Sequence, residues 1–172
     1  MKIKILSILL LVFFLTACEA NPLLNTNAEK VMEVTQQIVD FSIPVGYEPD
    51  FTANYKGYTL VSYRPENENS HLYILQSKDS ADAENLQGIL DVLVPGTSNA
   101  EGDQQVLDNY PIIFRGQETN LILLEGKNSE GKVYNQILVD FEGKGGPAVL
   151  VFSELSTYWD MDKVNRLLES VQ

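Results

Sequence analysis

Apolar and polar positions along this chain alternate in blocks whose spacing predicts a run of separate elements. From Ala28 to Val39, residues Val31, Met32, Thr35, Ile38 and Val39 return every three or four positions, forming one stripe of an amphipathic helix, with Asn27 placed to cap it. The stretch "DFSIPVGYEPD" then breaks the pattern with Pro44, Gly46 and Pro49. Tyr58 to Tyr63 and His71 to Gln76 flank the polar segment "RPENENS" and read as a hairpin. A second helix is predicted over Ser80 to Val94, where Ala83, Leu86, Leu90 and Leu93 share a face and Pro95-Gly96 stops the run.

Four further strands follow, over Gln105 to Arg115, Thr119 to Glu125, Val133 to Phe141 and Ala148 to Ser153. Their short links, "RGQE", "GKNSEG" and "EGKGGP", are rich in turn residues and predict an antiparallel meander. "LILL" and "AVLVF" are apolar at both parities, as expected of strands covered on both faces. Pro111 places its strand at an edge or a bulge. A last helix runs from Asp162 to Val171 with Val164, Leu167, Leu168 and Val171 on one side and Asp160 or Asp162 as cap. The sum is an α+β domain: an antiparallel sheet of about six strands flanked by about three helices.

The segment before Asn27 is of another kind. Lys2 and Lys4 precede the apolar run Ile5 to Leu15, then "LTAC" ends in Cys18. A basic start, about a dozen apolar residues and a small-residue exit make an export signal, too short to span a bilayer core of ~30 Å. Here the chain resembles a bacterial lipoprotein precursor. Leu15-Thr16-Ala17-Cys18 matches the lipobox, which implies diacylglycerol transfer to the Cys18 sulfur and cleavage before that residue. Cys18 is the only cysteine, so no disulfide forms within the chain, and one thiol with one distant histidine does not make a four-ligand zinc site. The expected division is a signal peptide over 1–17, a lipidated tether over 18–27 and one domain over 28–172. Acyl chains such as palmitate would then hold the protein on a membrane of the cell envelope. Glu19, where an Asp would favour inner-membrane retention, tilts a Gram-negative source toward the outer membrane.

Charge narrows the partners. The chain has 24 Asp and Glu against 12 Lys and Arg, and loss of Lys2 and Lys4 takes the net charge from −12 to about −14. Such a surface excludes nucleic acid as a partner. It also predicts that the lipid binds the membrane with no basic patch to help.

The mature chain resembles the PsbP-like fold, through Phe41-Ser42-Ile43-Pro44-Val45-Gly46-Tyr47 at the start and Tyr158-Trp159-Asp160 between the last strand and helix. That resemblance would cover residues 39–172 and implies a sandwich typical of binding and assembly factors.

No catalytic set is legible. Gly126 to Lys132 spells G-x-x-x-x-G-K, but Val133 replaces the metal-binding hydroxyl and a strand follows, so a hairpin turn is the reading. His71 is the sole histidine, and Ser70 beside it points to the opposite strand face. Asp160-Met161-Asp162 lacks the rest of a calcium loop and suits a helix cap. "NAEGD", Asn99 to Asp103, is the only other cation candidate, and no cofactor is implied.

One compositional feature stands out. Tyr47, Phe51, Tyr55, Tyr58, Tyr63 and Tyr73 fall within 27 residues. Two readings stay open: core residues with hydroxyls at the surface, or a binding surface on the irregular stretch "GYEPDFTANYKGY", carried by Tyr47, Phe51, Tyr55 and Tyr58. The functional expectation is a membrane-anchored, non-catalytic binding or accessory module for an envelope protein or small ligand. The alternatives are a hydrolase with paired carboxylates and a cation-dependent module.

Overall fold

Eight strands join in a single antiparallel sheet. The computed structural model describes residues 23–66, 70–78, 88–89, 104–127 and 130–171. The elements are β1 (Leu23–Asn25), α1 (Ala28–Ile38), β2 (Tyr47–Tyr55), β3 (Tyr58–Pro65), β4 (Ser70–Ser77), β5 (Gln105–Phe114), β6 (Gln117–Lys127), β7 (Val133–Gly143), β8 (Gly146–Leu155) and α2 (Met161–Glu169). The sheet order is β1-β2-β3-β4-β8-β7-β6-β5. The six-strand, three-helix sandwich is therefore corrected: the fold is mostly one large sheet, with two α-helices among the described residues.

Both extra strands escaped the sequence for physical reasons. β2 carries Pro49 and a bulge at Asp50, so its alternation is broken mid-strand. β1 has only three residues and forms by pairing Leu23 to Asn54 and Asn25 to Thr52, a contact that local periodicity does not encode. Of the helix expected over Ser80 to Val94, only Gly88 and Ile89 are described; both are helical, and the remainder lies outside the described residues.

The two helices cover one face. Val31, Val34 and Ile38 of α1 and Val164 and Leu167 of α2 pack on Val61, Tyr63, Leu72, Ile74, Leu150 and Phe152. Met32, expected on the buried stripe, is exposed, and Val34 takes its place. Asn27 caps α1 by accepting from the Lys30 amide, and Asp160 caps α2 by accepting from the Asp162 amide. Thr35 donates to the Val31 carbonyl, so its oxygen accepts from the buried Tyr63 hydroxyl at 2.6 Å. The opposite face buries Ala53, Tyr58, Leu60, Tyr73, Leu75, Val149 and Val151 together with Ile89.

β4 and β8 are the two middle strands of the sheet. Ala148, Leu150 and Phe152 enter the helix-side core, while Val149 and Val151 enter the other, as two-faced apolarity requires. β6 is one strand from the edge, and of "LILL" only Leu121 is fully buried. Pro111 lies on edge strand β5.

Because neighbouring strands run antiparallel, the sheet has two distinct ends. The start of β1, the β2–β3, β5–β6 and β7–β8 turns and the end of β4 share one of them, called the leader end here. Tyr47, Ser70 and Glu154 sit at the other, distal end. Strands of about ten residues at ~3.3 Å each separate the two by roughly 30 Å.

Candidate functional site

The β2 bulge divides the aromatic cluster. Pro49 opposes Tyr63 and Phe51 opposes Ser62, leaving Asp50 as the extra residue. A one-residue insertion reverses facing beyond it. Tyr47 consequently packs on the helix-side core, while Phe51, Tyr55 and Tyr58 belong to the opposite one. "GYEPDFTANYKGY" is thus a strand, a tight turn and the start of the next strand, not an irregular loop, and its four aromatics do not share one surface. Tyr58 is only 4% exposed. Tyr55 is half-buried under the Lys56 ammonium, 5.0 Å from the ring centre.

The other candidates separate as well. His71 is exposed and stacked on Tyr73, whereas Ser70 is buried on the opposite face. Lys127 pairs with Val133 across the β6–β7 hairpin, so the G-x-x-x-x-G-K pattern joins two strands and opens no helix. No group of three or more potential metal ligands occurs among the described residues, and Cys18 and Asn99 to Asp103 lie outside them.

What the fold does assemble is a groove at the distal end. The crossover after α1 carries Phe41, which bridges to Val171, and Ser42, whose amide donates to the Ser170 carbonyl at 2.9 Å. Pinned there, the crossover and α2 enclose a cavity of about 490 Å³. Ile43, Pro44, Val45, Phe152 and Leu167 give it an apolar lining, and Lys163, Arg166, Ser42 and Ser170 supply polar groups. This is the size and character of small-ligand pockets in general.

Beneath it lies a buried polar cluster. Glu154 is 3% exposed and its Oε1 accepts from Lys163 Nζ, while Oε2 has no hydrogen-bond partner among the described residues. The Tyr47 hydroxyl is hydrogen-bonded to Ser70 Oγ at 2.8 Å. Burial raises the Tyr47 pKa above its usual value, the Ser70 hydrogen bond opposes the rise, and the Glu154 charge adds to it. Tyr47 therefore stays a neutral phenol. Lys163 is held between the buried carboxylate and the groove.

Of the proposed binding residues only Tyr47 reaches this groove. Ser70, Glu154, Lys163 and Arg166 were missed. Glu154 left a legible signal: it continues the parity of Ala148, Leu150 and Phe152, so an acid stands at a core position. Lys163 and Arg166 left none beyond lying on one side of α2, because only the packing of α2 on β8 brings them to the groove.

No known family model matches the chain, and neither does any curated protein. A solved structure does. The crystal structure of LpqN, involved in cell envelope biogenesis of Mycobacterium tuberculosis, matches at 15% identity over 91% of this chain and 86% of that one, with a TM-score of 0.39. A likeness of that degree assigns neither site nor function, so the groove is judged on its own geometry.

Proposed function

We propose that this chain is a lipid-anchored protein of the bacterial cell envelope whose domain is a binding module, with the distal groove as its binding site. The lipobox at Leu15 to Cys18 supports the anchor. The distal groove itself carries the binding reading: an apolar cavity with Lys163 and Arg166 beside it fits an apolar ligand or peptide that bears an anionic group. The hydrolase alternative needs two acids in one cleft, and the lining of this groove holds no carboxylate.

The test is affinity capture after in-cell crosslinking of the lipidated protein, compared with Val45→Trp and Arg166→Glu. Val45 is fully exposed at the groove, so an indole there blocks it without disturbing the core. Both variants are expected to lose the captured species at least tenfold with unchanged melting temperature. Capture that survives both substitutions moves the site elsewhere.

A further inference from the structure

The chain enters the sheet at the leader end, and that end has a charge of its own. Leu23 pairs with Asn54 one residue before the β2–β3 turn, leaving four residues between it and Cys18. Six α-carbons in sequence span at most ~18 Å. Pairing of β1 to the sheet thus shortens the expected tether and places the leader end next to any bilayer that holds Cys18.

Three turns and one strand end there each carry a cation. Lys56 lies in the β2–β3 turn, Lys78 follows β4, Arg115 lies in the β5–β6 turn and Lys144 in the β7–β8 turn. Lys30 of α1 shares a pocket with Asn54, Lys78 and Gly145 at this end and is paired with Glu33 at 2.8 Å, and the other acids here are Asp40, Glu118 and Glu142. Asp40 is paired with Lys144 at 2.6 Å, and Arg115 is turned onto the Glu142 carbonyl and the Phe141 ring. Over the rest of the described residues acids outnumber bases twelve to five. Asp79 and Asp82, next in the chain after Lys78, lie outside the described residues. Apolar side chains join the cations: Leu23 is 76% exposed, Leu24 63%, and Ile113 is exposed on the same end of β5. Cations scattered over 89 residues of sequence converge because antiparallel pairing stacks their turns at one end.

We infer that the leader end lies against the membrane, with Lys56 and Lys78 on anionic headgroups and Leu23 and Leu24 at the interface, so that the acidic distal end and its groove face away. The inference rests on the anchor reading above. Short tether and charge complementarity point the same way: a bilayer attracts the cations and repels the acidic remainder.

The experiment uses the lipidated full-length protein in vesicles of phosphatidylcholine with about 30 mol% phosphatidylglycerol, whose anionic headgroups attract Lys and Arg, carrying an acceptor dye on the headgroups. Since Cys18 is the sole cysteine and would be acylated, Gln117→Cys at the leader end and Glu66→Cys at the distal end each accept one donor dye. Energy transfer from position 117 is expected to exceed that from position 66 at least twofold. The excess should fall in pure phosphatidylcholine and in the Lys56→Glu, Lys78→Glu double variant. Equal transfer from the two ends overturns the inference, and so does an excess that neither neutral lipid nor charge reversal reduces. Mass spectrometry of the Cys18 peptide reads the anchor separately: an unacylated peptide defeats the anchor reading itself, whatever the dyes report.

Discussion

Tyr58 and Tyr47 have the same side chain and opposite consequences. Tyr58 is enclosed by the core that contains Leu60, Tyr73 and Leu75, so Tyr58→Ala should cost about 3 kcal/mol in urea unfolding. Tyr47→Phe loses one hydrogen bond to Ser70, about 1 kcal/mol, and keeps the groove wall. The tyrosines also set the alkaline limit. Burial raises the pKa values of Tyr47, Tyr63 and Tyr73, the last aided by the Asp50 charge. A pKa raised in the folded state means that the native protein holds protons the unfolded chain releases near pH ~10. Stability is thus fully present below that pH and declines above it as pH climbs toward the folded values. The melting temperature should drop between pH 9.5 and 11 (about one unit around the unfolded value), and Tyr73→Phe should make the drop shallower. A flat profile through that range would contradict the burial assigned to these rings.

Among the elements, the β7–β8 turn is the most constrained by backbone geometry. Gly146 has φ +136°, and a Cβ there would lie 2.4 Å from the Ser77 carbonyl oxygen. That oxygen is backbone and does not rotate away. Gly146→Ala is therefore expected to cost about 2–3 kcal/mol and to lower the melting temperature sharply, whereas Gly131→Ala, with a positive φ but open space around it, should cost about 1 kcal/mol. Both are read by thermal unfolding. The same turn carries Lys144, whose amide donates to the Ile38 carbonyl and whose Nζ reaches the Gln36 carbonyl at the C-terminus of α1. "EGKGGP" was legible as a turn. That it also closes a helix was not, since Lys144 and Gln36 are 108 residues apart in sequence.

For the molecule as a whole, the arrangement separates two tasks by the length of the sheet. Lys56 and Lys78 lie at one end, and the groove formed by the crossover, β8 and α2 lies at the other. The groove variants and the membrane variants should then be independent, as sites more than 7–10 Å apart usually are. Lys56→Glu with Lys78→Glu is expected to leave crosslinked capture at the groove unchanged, while Val45→Trp should leave the leader-end energy transfer unchanged. Loss of capture on charge reversal would mean that the leader end itself holds the partner.

Periodicity and turn chemistry were enough to place α1, α2, β3, β4 and the four-strand meander, because each depends on residues a few positions apart. The same local chemistry marked Asn27 and Asp160 as caps and Pro111 as an edge residue. Facing, pairing and end-to-end charge were decided only in three dimensions. The bulge at Asp50 turns Tyr47 away from Phe51, Tyr55 and Tyr58, β1 exists only through its partner β2, and the groove joins Tyr47 to Lys163 across 116 positions of sequence. An acid count predicts the net field of the chain. Where its few cations meet depends on which turns the strand order brings together.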